Sequence, residues 1–326
     1  PTIMTITQLK YVLAVAKYQN FTLAAEKSFV TQPTLSMQVQ KLEDELDIQI
    51  FDRSKKPIEL TNIGHKIIQQ ARNIINESNR MNDVVDQEKG IIAGPLKIGI
   101  IATVMPTLLP MFLKTFLKKY PLLEVTIEEL TTEQVLKKIK DGNLDAGIAA
   151  TPLDVDYLVE LPLYYEPFVA YIPGNHQLSS KENIKVEDID PDDVLLLQDG
   201  HCFRNQVLTL CRTSANKRSS NIKLQSGSFE TIIKLTQEGM GMTLLPYLHT
   251  LGLNEKDQNF LHNFEAPSPA REISLIYNKN ELKLHIIEAL RSLIASVIRG
   301  AIAFNNVQII DPKKKSFATE SGSIAK

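Results

Sequence analysis

Two residues stand out for the chemistry they can do. Cys202 and Cys211 are the only cysteines in 326 residues, and they lie nine positions apart. Two cysteines cannot build a disulfide framework, and C-x8-C is not a zinc-ligand spacing. The pair is therefore either incidental, as two small buried hydrophobes, or redox-active. A thiolate, not a thiol, is the reactive form. His201 beside Cys202 and Arg204 two positions on supply positive charge that favours it, and Asp199 opposes them.

The rest of the chain must position that segment. Apolar residues make up 43%, charged residues 23% and aromatic residues 6%, with no Trp. This is the composition of an ordinary globular chain of about two domains, and it excludes a disordered, collagenous or disulfide-stapled protein. No run approaches the ~20 apolar residues of a membrane span, and PTIMTITQLK is not a signal-peptide pattern. No membrane association is expected, and the cytoplasm is the expected location. The first Met is Met4, so Pro1 to Ile3 are expected to precede the native start. Net charge is -2, and residues 1–64 carry seven Lys/Arg against seven Asp/Glu. Bulk charge gives no nucleic-acid signature, so any such reading must rest on motif and geometry.

At the N-terminus, ITQLKYVLAVAKY places Leu9, Val12, Leu13 and Ala16 at helical spacing. A second short helix is expected at TLAAEKSF with Thr22 as its N-cap. Thr31 caps a third, with Pro33 in its first turn. On that helix Val39, Leu42 and Leu46 face inward, while Thr34, Ser36, Gln38 and Lys41 remain polar. IQIFDRSKKPIELT alternates around a basic turn and reads as a two-stranded wing. Three helices and a hairpin make a winged helix-turn-helix, whose polar third helix suits a DNA groove, or else a small helical cap with a solvated face. Thr61 caps a long helix from Asn62 to Glu88. Its seam of Ile67, Ala71, Ile74, Ser78, Met81 and Val85 has a/d spacing, which fits either a coiled coil with a second copy or packing on its own domain.

Beyond a hinge at Gly90–Gly94, strands at Leu96–Ile101, Glu124–Glu129 and Leu144–Ile148 alternate with helices at Thr107–Tyr120 and Thr132–Asp141. That order predicts an open α/β sheet. A second α/β unit is expected from strands near Phe168–Ile172, Val194–Leu197, Ile222–Gln225 and Met242–Leu245, with a helix at Phe229–Glu238 closed by Gly239. Strand Glu272–Tyr277 and helix Leu282–Arg299 follow. Residues 306–326 read as a disordered polar tail.

FTLAAEKSFVTQPTLSMQVQKLEDEL followed by FDRSKKPIELTNIG resembles the LysR-type transcriptional regulators. Ala24-Ala25, Thr31-Gln32-Pro33-Thr34-Leu35-Ser36, Leu42-Glu43-Asp44-Glu45-Leu46 and Leu60-Thr61-Asn62-Ile63-Gly64 carry the likeness. The resemblance implies an α/β protein with a winged helix-turn-helix at 4–61, a dimerisation helix at 62–90 and a regulatory domain at 91–305. That domain would resemble a periplasmic binding protein, with subdomains 91–164 plus 267–305 and 165–266. It implies double-stranded DNA as partner, a homodimer or dimer of dimers, and RNA polymerase. Thr31, Gln32, Pro33, Thr34, Ser36, Gln38, Lys41, Arg53 and Lys55 would be the DNA-binding residues.

Asp199-Gly200-His201-Cys202-Phe203-Arg204-Asn205-Gln206, continuing to Cys211, resembles a peroxide-sensing branch of that family. Thr103-Val104-Met105-Pro106-Thr107-Leu108-Leu109-Pro110 and the GMTLLP segment at 241–246 match the same branch. The likeness implies that hydrogen peroxide is the signal, that it oxidises Cys202, and that the resulting sulfenic acid condenses with Cys211. Thr103, Thr132, His201 and Arg271 would surround the thiol. If 203–210 are helical, the two Cα atoms stand ~13 Å apart, whereas a disulfide tolerates about 4.4–6.8 Å. The bond would then require the segment to refold. No cofactor is expected, and the protein is not expected to be an enzyme. The rival readings are a LysR-type regulator of a small metabolite with silent cysteines, and a thiol peroxidase or disulfide oxidoreductase. The latter lacks C-x-x-C and leaves the winged helix unexplained.

Overall fold

Caps and apolar spacing account for the N-terminal helices, in a computed structural model that describes residues 4–88, 92–211, 226–302 and 307–312. Helix α1 (Ile6–Tyr18) starts at a capping box: Thr5 Oγ1 accepts from the Gln8 amide, and Gln8 Oε1 accepts from the Thr5 amide. Helix α2 (Phe21–Lys27) is capped by Asn20, whose Oδ1 accepts from Leu23 N, and not by Thr22, which lies inside the helix. Helix α3 (Gln32–Leu46) is capped by Thr31 with Pro33 in its first turn, as the spacing predicts. Strands β1 (Phe51–Asp52) and β2 (Glu59–Leu60) pair antiparallel as the wing. Leu9, Val12, Val15, Ala24, Ala25, Leu35, Val39, Leu42, Ile50 and Phe51 make one core beneath them.

Helix α4 (Asn62–Glu88) opens where Thr61 Oγ1 accepts from Gly64 N at 2.9 Å. A Cβ on Gly64 would lie 2.1 Å from the Ile50 carbonyl oxygen, so only glycine allows this approach. The predicted seam divides. Ala71 is buried and Ile67 half-buried on the winged-helix core, joined there by Ile68. Ile74, Met81 and Val85 are exposed. Pro1–Ile91 form one compact unit and Ile92–Lys326 another.

The second unit contains β3 (Gly94–Ile101), α5 (Met105–Lys119), β4 (Leu123–Leu130), α6 (Thr132–Lys140) and β5 (Ala146–Thr151). Here β3 pairs in parallel with both β4 and β5, as β-α-β-α-β order predicts. Next come β6 (Leu158–Tyr171), β7 (Asn183–Ile184), α7 (Cys202–Leu210), α8 (Phe229–Gln237), β8 (Thr243–Pro246), α9 (Tyr247–Thr250), α10 (Glu255–Gln258) and β9 (Leu261–Phe264). Last are β10 (Ser268–Asn278), α11 (Leu284–Ile298) and β11 (Val307–Ile309). Among the described residues the sheet order is β4-β3-β5-β10-β6-β9-β7, with β8 on β6 and β11 on β10. The sheet is mixed, because β10 runs antiparallel to both β5 and β6. Strand β6 passes from a core containing Leu158 and Tyr164 to a second containing Phe168, Ala170 and Tyr171.

Two further expectations need correction, and another cannot be compared. Val194–Leu197 is not a strand. It makes one bridge, Val194 to Met242, before Gln198 N turns away to the Ser226 carbonyl. The tail is ordered at its start: β11 pairs in parallel with Ser268–Ala270, and Ile310 N donates to Ala270 O at 2.8 Å. Ile310, just past the strand, is buried, whereas Ile309 is exposed. The strand expected at 222–225 lies outside the described residues. Ending the chain after Asn305 therefore removes a strand and the buried Ile310, worth about 2 kcal/mol. Thermal denaturation should show Tm lowered by roughly 4–8 °C.

Candidate functional site

The reactive segment begins at a glycine. Gly200, at φ 98°, turns the chain so that His201 takes the N-cap position of α7, with no side-chain capping bond, and Cys202 is its first residue. A helix N-terminus favours a thiolate through its free N–H groups and dipole. Cys211 is the C-cap of the same helix. The two free thiols thus stand at opposite ends of one helix, ~13 Å apart by helical rise, and cannot bond while it persists.

Thr132 Oγ1 lies 2.8 Å from Cys202 Sγ. The capping box at the start of α6 uses Thr131 and Gln134, which leaves the Thr132 hydroxyl free for the sulfur. The charge that acts on Cys202 is that of Arg271, 1% exposed. Its Nε donates to Glu166 Oε2 at 2.9 Å, and its terminal nitrogens donate to Thr103 Oγ1 at 2.9 Å and Thr103 O at 3.0 Å. Its guanidinium sits 5.3 Å above the Phe203 ring, next in the chain to Cys202. Thr103 lies in the turn between β3 and α5, at the end of a strand where open α/β sheets present their sites.

These environments set the thiol's charge. Burial pushes the Cys202 thiol up, while the Thr132 hydroxyl and the Arg271 charge pull it back. Burial alone pushes Cys211 up to about 12. The cation near Cys202 is not the one its neighbours in sequence suggest. Arg204 turns away to Asp199 at 2.9 Å and the Leu197 carbonyl at 3.0 Å. Burial lowers the His201 pKa, with Glu129 opposing, so His201 favours the neutral form. Spacing also gave no sign of Glu166, which holds Arg271, or of Gly227, where a Cβ would lie 3.1 Å from His201 Nε2. Gln206, buried on α7, donates to the Ile310 carbonyl at 2.7 Å and so ties the thiol helix to β11.

In the N-terminal unit, Gln32, Pro33, Thr34, Lys41 and Lys55 are exposed. Thr31 is exposed but shares its hydroxyl with Thr34 at 2.8 Å. Ser36 and Gln38 are half-covered, and Met37 stands outward between them. Arg53 is exposed too, but it pairs with Glu43 at 2.8 Å and covers the Phe21 ring at 5.2 Å. Buried Glu43 also accepts from Ile50 N and Phe51 N, so the L-E-D-E-L segment anchors the wing.

Residues 6–65 match the lysR family of bacterial regulatory helix-turn-helix proteins, and residues 89–299 match the LysR substrate binding domain. Winged helix and α/β unit together define a DNA-binding transcriptional regulator, and the chain belongs to the LysR family. Within it, the chain is 33% identical over 274 residues to a hydrogen peroxide-inducible genes activator of Pectobacterium carotovorum subsp. carotovorum, covering 84% of this chain and 90% of that one. It is 32% identical over 274 residues to the DNA-binding transcriptional dual regulator OxyR of Escherichia coli K12, covering 84% and 89%. A full-length OxyR variant of Pseudomonas aeruginosa superposes with a TM-score of 0.72 at 33% identity, covering 91% and 98%. An H2O2-bound OxyR mutant of Corynebacterium glutamicum superposes with a TM-score of 0.62 at 27% identity, covering 91% and 93%.

The raised thiol pKa fixes a sign. The reactive thiolate fraction of Cys202 grows with pH and keeps growing past the ordinary thiol value. In a Cys211→Ser background, iodoacetamide labelling should accelerate about tenfold per pH unit with no plateau below about pH 9. Thr132→Val removes a contact that lowers the pKa and should slow labelling further at neutral pH, as read by mass spectrometry.

Proposed function

We propose that this protein is a hydrogen-peroxide-sensing regulator that controls antioxidant genes through a Cys202–Cys211 disulfide. The observation that carries the reading is the pair of thiols at the two ends of α7, with Cys202 held by Thr132 beside the buried Arg271. The Cys202 thiolate attacks one peroxide oxygen. The O–O bond breaks, and the departing hydroxide takes a proton and leaves as water. The Cys211 thiol then displaces the sulfenic hydroxyl, releasing a second water. In sum, two thiols and one peroxide give one disulfide and two waters. Thr103, Thr132, His201 and Arg271 orient and polarise the peroxide.

Because helical rise separates the thiols, the second step requires α7 to unfold, and that refolding is the signal. The exposed Ile74, Met81 and Val85 of α4 suit a second copy, giving a dimer that places two winged helices on two half-sites. A dimer of dimers, the recruitment of RNA polymerase and a cytoplasmic location belong to the same reading.

Cys202→Ser should abolish the response to peroxide. Cys211→Ser should still oxidise at Cys202 and stop at sulfenic acid or a mixed disulfide, as read by intact mass. DNase footprints of the wild type should change length between reduced and oxidised protein. An unchanged footprint, with the disulfide confirmed by mass, would reject the switch and favour a metabolite-sensing regulator. Separately, Ile74→Asp should dissociate the dimer in sedimentation, because a carboxylate buried in that seam is strongly unfavourable.

A further inference from the structure

The outer face of α3 carries an apolar side chain where a solvated helix would carry a polar one. Thr34, Met37, Lys41 and Asp44 recur at spacings of three and four and are all exposed. Met37 lies mid-stripe and is 62% exposed, while Leu35, Val39 and Leu42 occupy the opposite, buried face. Met37 is not among the described apolar residues that form or pack on the core of this unit. Its flanking positions, Ser36 and Gln38, are hydrogen-bonding residues, and Lys41 one turn on is a cation.

We infer that Met37 is a specificity-determining residue that packs its thioether against the 5-methyl group of a thymine in the DNA major groove. The thymine methyl is the one apolar feature that a base edge presents there, and the other bases offer donors and acceptors. A methionine cannot satisfy those groups and would bury them unpaired, so it selects for thymine and against cytosine. Its flexible, unbranched chain reaches from the helix without fixing the backbone distance closely. The polar stripe around it holds register by hydrogen bonds to phosphates and neighbouring bases, and Lys41 adds salt-dependent attraction. This inference rests on α3 being the groove-reading helix.

The test uses full-length protein and a duplex that the wild type itself selects from a random pool. Each thymine of the half-site is replaced in turn by deoxyuridine, which removes only the methyl group. One thymine per half-site should show about fourfold weaker wild-type binding, the usual worth of burying one methylene-sized group. Met37→Ala should bind the thymine and deoxyuridine duplexes equally at that position, and Met37→Leu should restore the discrimination. The inference is overturned if deoxyuridine is tolerated at every position, or if Met37→Ala keeps the wild-type sensitivity. Gln32→Ala with Ser36→Ala separates the two levels of failure. If that double variant also binds normally, α3 is not the reading helix. If it weakens binding while no methyl effect is found, only the role of Met37 fails.

Discussion

The sensing half of the molecule depends on one buried ion pair. Arg271 on β10 and Glu166 on β6 are register partners in an antiparallel pair and are each 1% exposed. Either charge alone would lose several kcal/mol of hydration. Together they are satisfied, and each has bonding capacity to spare. Glu166 Oε1 accepts from Leu248 N, and Arg271 reaches the Thr103 hydroxyl and carbonyl. One pair therefore fixes the turn after β3, the start of α9 and the two long strands that run the length of the sheet. It also limits what the arginine can do electrostatically. With Glu166 against it, Arg271 acts on Cys202 as part of a dipole rather than as a free cation. This agrees with a thiol that burial still raises. The Thr132 hydroxyl and the position at the head of α7 are the other features that favour the thiolate.

The N-terminal unit repeats the device on a smaller scale. Glu43 on α3 bonds two wing amides and Arg53, and Arg53 covers Phe21 on α2. Helix α3 and the wing are locked together by a buried carboxylate. Gly64 closes the other side by letting α4 start against the Ile50 carbonyl. The acidic residues that cancel the basic charge of this unit are thus partly structural. A balanced total charge is no argument against a nucleic-acid surface here.

Much of this was legible in the sequence, for identifiable reasons. The helices of the first unit carry caps and 3.6-residue spacing, and β3 to β5 alternate with amphipathic helices, so local rules set most of their limits. Thr22 failed as a cap because Asn20 offered an equivalent oxygen two residues earlier. Val194–Leu197 has the composition of a strand, but its neighbour leaves after one bridge, which only tertiary structure decides. Strand β11 was hidden in a polar composition because its partner β10 precedes it by about forty positions. At the site, sequence neighbours misled. His201 and Arg204 are adjacent to the thiol in the chain, but the influential cation comes from Arg271, which lies 69 positions from Cys202. Glu166 and Gln206 act through partners more than a hundred positions away, a distance that spacing cannot register.

Strand β11 has one more implication, which concerns the order in which the molecule is made. The winged helix is complete by the first quarter of the chain, and domains fold N-terminal first during synthesis. The guanidinium that braces Thr103 arrives with β10, and the carbonyl that anchors Gln206 on α7 arrives only with Ile310. On the ribosome, the reading head is therefore finished while the thiol helix still lacks both its brace and its anchor. A chain interrupted by stalling or proteolysis before residue 271 holds the complete N-terminal unit and both cysteines, but neither the guanidinium that bonds Thr103 nor the carbonyl that bonds Gln206. The support of the thiol helix is thus completed only by the last strand to be made.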